Sequence, residues 1–71
     1  MINADSLTPE IFWDNVDYKR RAADISWNEL MRRLNIDERN LHNTRKGLPC
    51  LRTAIKLSEI LDCDINTLLI G

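Results

Sequence analysis

The chain has 71 residues, 44% hydrophobic and 30% charged with a net charge of −1, which describes one folded domain near the lower size limit for a self-sufficient core and excludes a disordered protein. No apolar run approaches the ~20 residues of a membrane span, and the opening MINADSLTPE is polar and acidic rather than a basic-then-apolar leader, so a cytoplasmic protein is expected. The two cysteines, Cys50 and Cys63, allow one internal bridge at most, and free thiols fit that compartment better.

Residues 1–8 read as a polar lead-in to a domain covering 9–71. Thr8-Pro9-Glu10 is a helix start: a capping hydroxyl, a proline in the first turn where no N–H is missed, and an acid near the positive helix end. The first helix is predicted from about Pro9 to Ala23, burying Phe12, Val16 and part of Tyr18, with Lys19, Arg20 and Arg21 in its last turn. Ser26, with Glu29 three residues on, forms a capping box for a second helix ending near Leu34. Asn35 comes next, and asparagine enters the left-handed region cheaply, so it can end that helix and swing the chain through a sharp angle. Asp37 then caps a third helix running to Arg45, which Gly47 stops.

Leu48-Pro49 reads as a loop, since the residue before proline is steered away from helical angles. A fourth helix is predicted from about Leu51 to Leu61, with Ala54, Ile55, Leu57, Ser58 and Leu61 at helical spacing. Asp64 caps a short fifth helix bearing Ile65, Leu68 and Leu69. There is no strand pattern, repeat or low-complexity tract, and the connections are short. The expected fold class is all-α, a compact five-helix bundle.

Within it, Trp27, Leu30 and Leu34 before the Asn35 break and Ile36 and Leu41 after it form two apolar stripes facing one another across a turn, a helix-turn-helix by construction. The charge is segregated around this motif. All ten basic residues lie between Lys19 and Lys56, where four acids leave a balance of +6, while the flanks hold seven acids and no base. Attraction to phosphate depends on the field at the contact face, so a negative total does not exclude a polyanionic partner.

The order and spacing of these elements resemble the lambda-type phage repressor and Cro family, the XRE-type helix-turn-helix proteins, from about Phe12 to Gly71. The specific parts are Ser26, Glu29, Leu30 and Leu34, then Ile36, Leu41 and Gly47, then Pro49, Leu57, Leu61 and the closing Asp64-Ile65-Asn66-Thr67-Leu68-Leu69. There are departures: Trp27, whose indole N–H can donate to phosphate or whose ring can equally pack on the core, stands where the family has a phosphate-touching Gln, Met31 where it has Ala, Asn35 where it has Gly, and Thr44 where it has a large apolar residue.

The resemblance implies a sequence-specific double-stranded DNA-binding regulator of the repressor type, phage or bacterial, with no cofactor and no metal. Its third helix would enter the major groove with Asp37, Glu38, Arg39, His42 and Asn43 outward, and Glu38, Arg39, His42 and Asn43 would read bases. The planar fork of Arg39 matches guanine O6 and N7, and Asn43 matches the adenine N6 and N7 edge. Phosphate contacts would fall to Ser26, Trp27, Asn28, Asn40, Arg45, Lys46 and Arg52, while one of Arg32 and Arg33 points away from the duplex. A single reading helix spans few base pairs, so a palindromic operator bound by a weak homodimer is expected, paired through Ile65, Leu68, Leu69 and Ile70.

An enzyme is disfavoured by the residues themselves. His42, Cys50 and Cys63 match no common zinc spacing, and there is no Gly-rich phosphate loop. The rival is a protein-interaction module on the same fold, antitoxin-like, adaptor or anti-repressor. The acids Asp37 and Glu38 at the head of the reading helix favour it, and the basic central window opposes it.

Overall fold

Thr8 accepts a hydrogen bond from the Ile11 amide with its hydroxyl, at 3.1 Å, and Pro9 follows in the first turn, so the first helix begins where its cap and its proline require. The structure, a computed structural model, describes residues 7–70. Most of the lead-in assigned to residues 1–8 lies outside that range. Its last two residues belong to the domain, since Leu7 packs against the core and Thr8 is the cap.

Five α-helices follow one another among the described residues: α1 Pro9–Ala22, α2 Trp27–Arg33, α3 Leu41–Thr44, α4 Leu51–Ile60 and α5 Ile65–Leu69. A single 3-10 turn, Glu38–Asn40, runs directly into α3. The all-α helix-turn-helix bundle read from the sequence is the fold observed. No helix among these residues is long and apolar enough to cross a membrane.

Three of the breaks between helices share one device. Asp24, Asn35 and Asp62 sit in the left-handed region at φ of 59°, 63° and 52°. In each case the left-handed residue donates its amide three residues back, Asp24 to Arg21, Asn35 to Arg32 and Asp62 to Glu59. The next residue donates five back, Ile25 to Arg20, Ile36 to Met31 and Cys63 to Ser58, at 2.9–3.0 Å. This double bond satisfies helix-end carbonyls that would otherwise lack partners. It also delivers Ile25, Ile36 and Cys63 inward, where all three pack on the core. The sequence reading found this device at Asn35 and missed it at Asp24 and Asp62.

The core consists of Phe12, Trp13, Val16, Leu30, Met31, Leu34, Ala54, Leu57, Leu61 and Leu68. Tyr18, expected partly inside, is 71% exposed, and Trp13, which the reading passed over, is 1% exposed. Trp13 lies one position from Phe12 and three from Val16, on the stripe that turns inward. Its ring meets Phe12 edge-on at 5.1 Å. Ile55 was placed on the inward stripe of α4 and instead faces solvent, while Ala54, Leu57 and Ser58 are buried. Helix α5 lies against α1 and α4. Asn15 of α1 ties down its end, donating Nδ2 to the Leu68 carbonyl at 3.0 Å and to the Ile70 carbonyl at 2.6 Å.

Asn35 gives a direct test of the turn. Asn35→Gly keeps the left-handed conformation without strain and is expected to melt at or above the wild-type temperature. Asn35→Val is expected to lose on the order of 1–2 kcal/mol, because a β-branched side chain is crowded there. Equal melting temperatures for the two variants would show that the turn does not depend on this residue.

Candidate nucleic-acid interface

The segment after the Asn35 turn starts from Asp37. Its carboxylate accepts the Arg39 amide at 2.9 Å, and its carbonyl accepts the Asn40 amide at 2.9 Å. Both bonds close tight turns, so the segment begins as a 3-10 turn and settles into α geometry only at Leu41. The continuous third helix expected from Asp37 to Arg45 is therefore two short pieces. It also ends before Gly47, whose φ is not positive and whose Cα faces open space. Gly47 contributes a carbonyl instead: the Trp13 indole donates Nε1–H to it at 2.8 Å, fastening the loop after α3 to α1.

Leu41 and Thr44 turn half inward, and Glu38, Arg39, Asn40, His42 and Asn43 are exposed. Glu38, Arg39, His42 and Asn43, the four expected base readers, thus lie along one outward strip. No residue of the segment is fully buried, Leu41 included, so its hold on the domain comes from half-buried contacts and its two ends.

The charges are extensively paired. Arg39 folds onto Asp37, with Nη2 2.9 Å from Oδ2 and Nε 3.2 Å from Oδ1. The Arg39 side chain and its backbone amide together hold the Asp37 carboxyl below the usual carboxylate range. Arg32 reaches Glu29 at 2.8 Å and Glu38 at 3.5 Å, and Arg33 meets Glu29 at 3.1 Å. Glu29 spends its carboxylate on these arginines. The capping box is accordingly half formed, with Ser26 accepting the Glu29 amide at 3.1 Å. Asp17 binds Arg20 and Arg21. Among the described residues Lys19, Arg45, Lys46, Arg52 and Lys56 have no carboxylate within ion-pair distance. Three of these five, Arg45, Lys46 and Arg52, were expected at phosphates.

Trp27 packs its ring against the core, one of the two settings expected for it. Its half-buried ring is approached by two guanidinium groups, Arg20 at 4.8 Å and Arg45 at 4.6 Å, and tilts against Trp13 at 6.3 Å. Cation–π attraction of this kind holds Arg45, at the end of α3, beside the start of α2. Arg20 was read only as a helix-end charge. It also lies over the ring while donating to Asp17 and to the Ile25 carbonyl. Nothing in its local sequence distinguishes it from Arg21, which is exposed.

Ser26, Asn28, Lys46 and Arg52 are exposed as expected. Of the four residues expected at a dimer interface, Leu68 is wholly buried in its own core, which removes it from any pairing surface. Ile65 and Leu69 are partly buried, and Ile70 is 57% exposed. Both cysteines are free thiols: burial raises the pKa of Cys63, and the Thr53 hydroxyl lowers that of exposed Cys50. No group of three or more potential metal ligands occurs among the described residues. An open cleft of about 570 Å³ separates Pro9, Trp13 and Asp14 from His42, Arg45 and Lys46.

The Asp17 pairing has a pH signature. Hydrogen bonding from Arg20 lowers its folded pKa below the ordinary 3.8, so its stabilising effect is complete above that value and fades as pH falls through the folded one. Melting temperature is expected to fall below pH ~4. Asp17→Asn should be less stable than wild type at neutral pH and lose less on acidification. Parallel pH–melting curves for the two proteins would exclude this role.

The family model of the Cro/C1-type HTH DNA-binding domain matches residues 15–70, most of the chain and all of the helix-turn-helix. The curated proteins and the solved structures give no match. With the turn at Asn35, the outward strip of the third-helix segment and the agreement across nearly every helix, the chain belongs to the Cro/C1-type helix-turn-helix DNA-binding family.

Proposed function

We propose that this protein is a sequence-specific transcriptional regulator of the repressor type, which occupies an operator in double-stranded DNA through the major groove. The observation that carries the reading is the outward strip of Glu38, Arg39, His42 and Asn43, flanked by Arg45, Lys46 and Arg52, which have no carboxylate partner among the described residues. Arg39 and Asn43 carry the edges that discriminate guanine and adenine, and His42 donates to a purine N7 or a phosphate. Lys46 and Arg52, with Arg45 braced on Trp27, supply positive charge for the backbone, joined by Ser26, Asn28 and Asn40. The acids that favoured a protein-interaction module have lost that force, since Asp37 is paired with Arg39 and Glu38 faces Arg32.

Selection from random duplex DNA tests the reading, and failure to enrich a motif would favour the protein-interaction module. On the selected site, Arg39→Ala is expected to weaken binding by about 1–3 kcal/mol and to relax preference at one base pair. Lys46→Ala is expected to weaken all sequences alike and make the salt dependence shallower. Identical behaviour of the two variants would mean that Arg39 contacts phosphate and not a base.

The operator is proposed to be palindromic, with two copies roughly 34 Å apart placing their reading segments in successive major grooves. Ile70, with the outer parts of Ile65 and Leu69, is the proposed contact between copies. The surface is small, so association is weak until DNA holds both copies close. Sedimentation with and without a palindromic site is expected to give two copies per site for wild type and one for Ile70→Asp. One-to-one binding by both proteins would end the dimer proposal.

A further inference from the structure

We propose that Asp37 is a positioning residue for base recognition: its carboxylate holds one edge of the Arg39 guanidinium and leaves the opposite fork free to read guanine. The inference rests on the base-reading role proposed for Arg39. A guanidinium carries five N–H donors in a plane. Asp37 engages the edge formed by Nε and Nη2, with Nε at 3.2 and 3.3 Å from its two oxygens and Nη2 at 2.9 Å from Oδ2. The hydrogens on Nη1 and the second hydrogen on Nη2 remain. One from each nitrogen points outward in parallel, the pair that matches the O6 and N7 acceptors of guanine.

The carboxylate is itself fixed, because Oδ1 also accepts the backbone amide of Arg39 at 2.9 Å. One residue therefore caps the reading segment and sets the direction of the reader. The Arg39 side chain is 90% exposed, so without this contact it would be free to sample many rotamers. Neighbouring Glu38 does not compete for it, being turned toward Arg32. A held arginine meets guanine with little further ordering, and on a wrong sequence its charge is already balanced and its reach to phosphate curtailed. The acid at the head of the segment thus increases discrimination.

Asp37→Asn separates this role from capping, since asparagine caps helices as well as aspartate but lacks the charge that binds a guanidinium in a fork. Binding of the wild type, Asp37→Asn and Arg39→Ala is measured across a salt series on three duplexes. These are the selected site, the site altered at the base pair where Arg39→Ala relaxes preference, and a scrambled sequence. Asp37→Asn is expected to melt within a few degrees of wild type and to lose about 2- to 12-fold of the preference at that base pair, the range spanned by ordering one long side chain. Binding to the scrambled duplex should hold or tighten, with a steeper salt dependence. Should Asp37→Asn prove unstable, Asp37→Ser keeps a capping oxygen without the carboxylate and carries the same comparison.

Tightening on all three duplexes by one common factor would overturn the proposal, because Asp37 would then merely repel phosphate. Preference that depends on Arg39 but is unchanged in Asp37→Asn would sink the positioning role alone. Preference that depends on neither residue would sink the base-reading role of Arg39, and this inference with it.

Discussion

The segment that faces outward, Glu38–Thr44, is too short to persist as a helix in water and buries no side chain fully, so the rest of the molecule has to hold it. It is held at both ends. At its start, the left-handed Asn35 turn sends Ile36 onto the core and Asp37 into position to cap. At its end, Arg45 lies on the Trp27 ring and the Trp13 indole grips the Gly47 carbonyl. Both tryptophans stand against the fully buried core, so the geometry of the outward strip is inherited from it. The two ends are fixed by different interactions, one a backbone turn and the other aromatic packing. The segment between them can carry polar residues chosen for contact with a partner.

Charge is distributed by the same logic. The central window is basic by composition, yet half of its bases are committed within the molecule, to Asp17, Glu29, Asp37 and Glu38. The more exposed of these pairs, those of Glu29, Glu38 and Asp37, contribute little to stability. Their larger effect is to decide which cations remain available. Those around the end of the outward segment, Arg45, Lys46 and Arg52, have no carboxylate partner among the described residues, so the electropositive field is concentrated there.

The departures from the family pattern are absorbed by packing. Met31, where the family carries a smaller residue, is completely buried, and an unbranched thioether can follow an irregular gap. Trp27 becomes a platform for two arginines. Thr44, where the family carries a large apolar residue, is only half-buried, in keeping with an outward segment that has little apolar hold of its own.

Much of this was legible in the sequence, because helix starts and stops are local chemistry. Thr8, Ser26, Asp37 and Asp64 cap the residues they precede, and each bond spans two or three residues. Asn35 was readable as a left-handed stop for the same reason, and the polar strip of the third helix was implied by the family resemblance. What tertiary structure decided was long-range. Which aromatic turned inward, Trp13 and not Tyr18, depended on where α5 and the loop at Gly47 came to lie. That Leu68 is sealed in the core while Ile70 is left outside depended on Asn15, more than fifty residues away, binding the two carbonyls at the chain's end. Stacking of Arg45 on Trp27, eighteen residues apart in the chain, depended on side-chain directions that spacing does not encode. Local rules place the helices, but the free energy that selects among side-chain partners comes from residues distant in sequence, and only the folded chain brings those together.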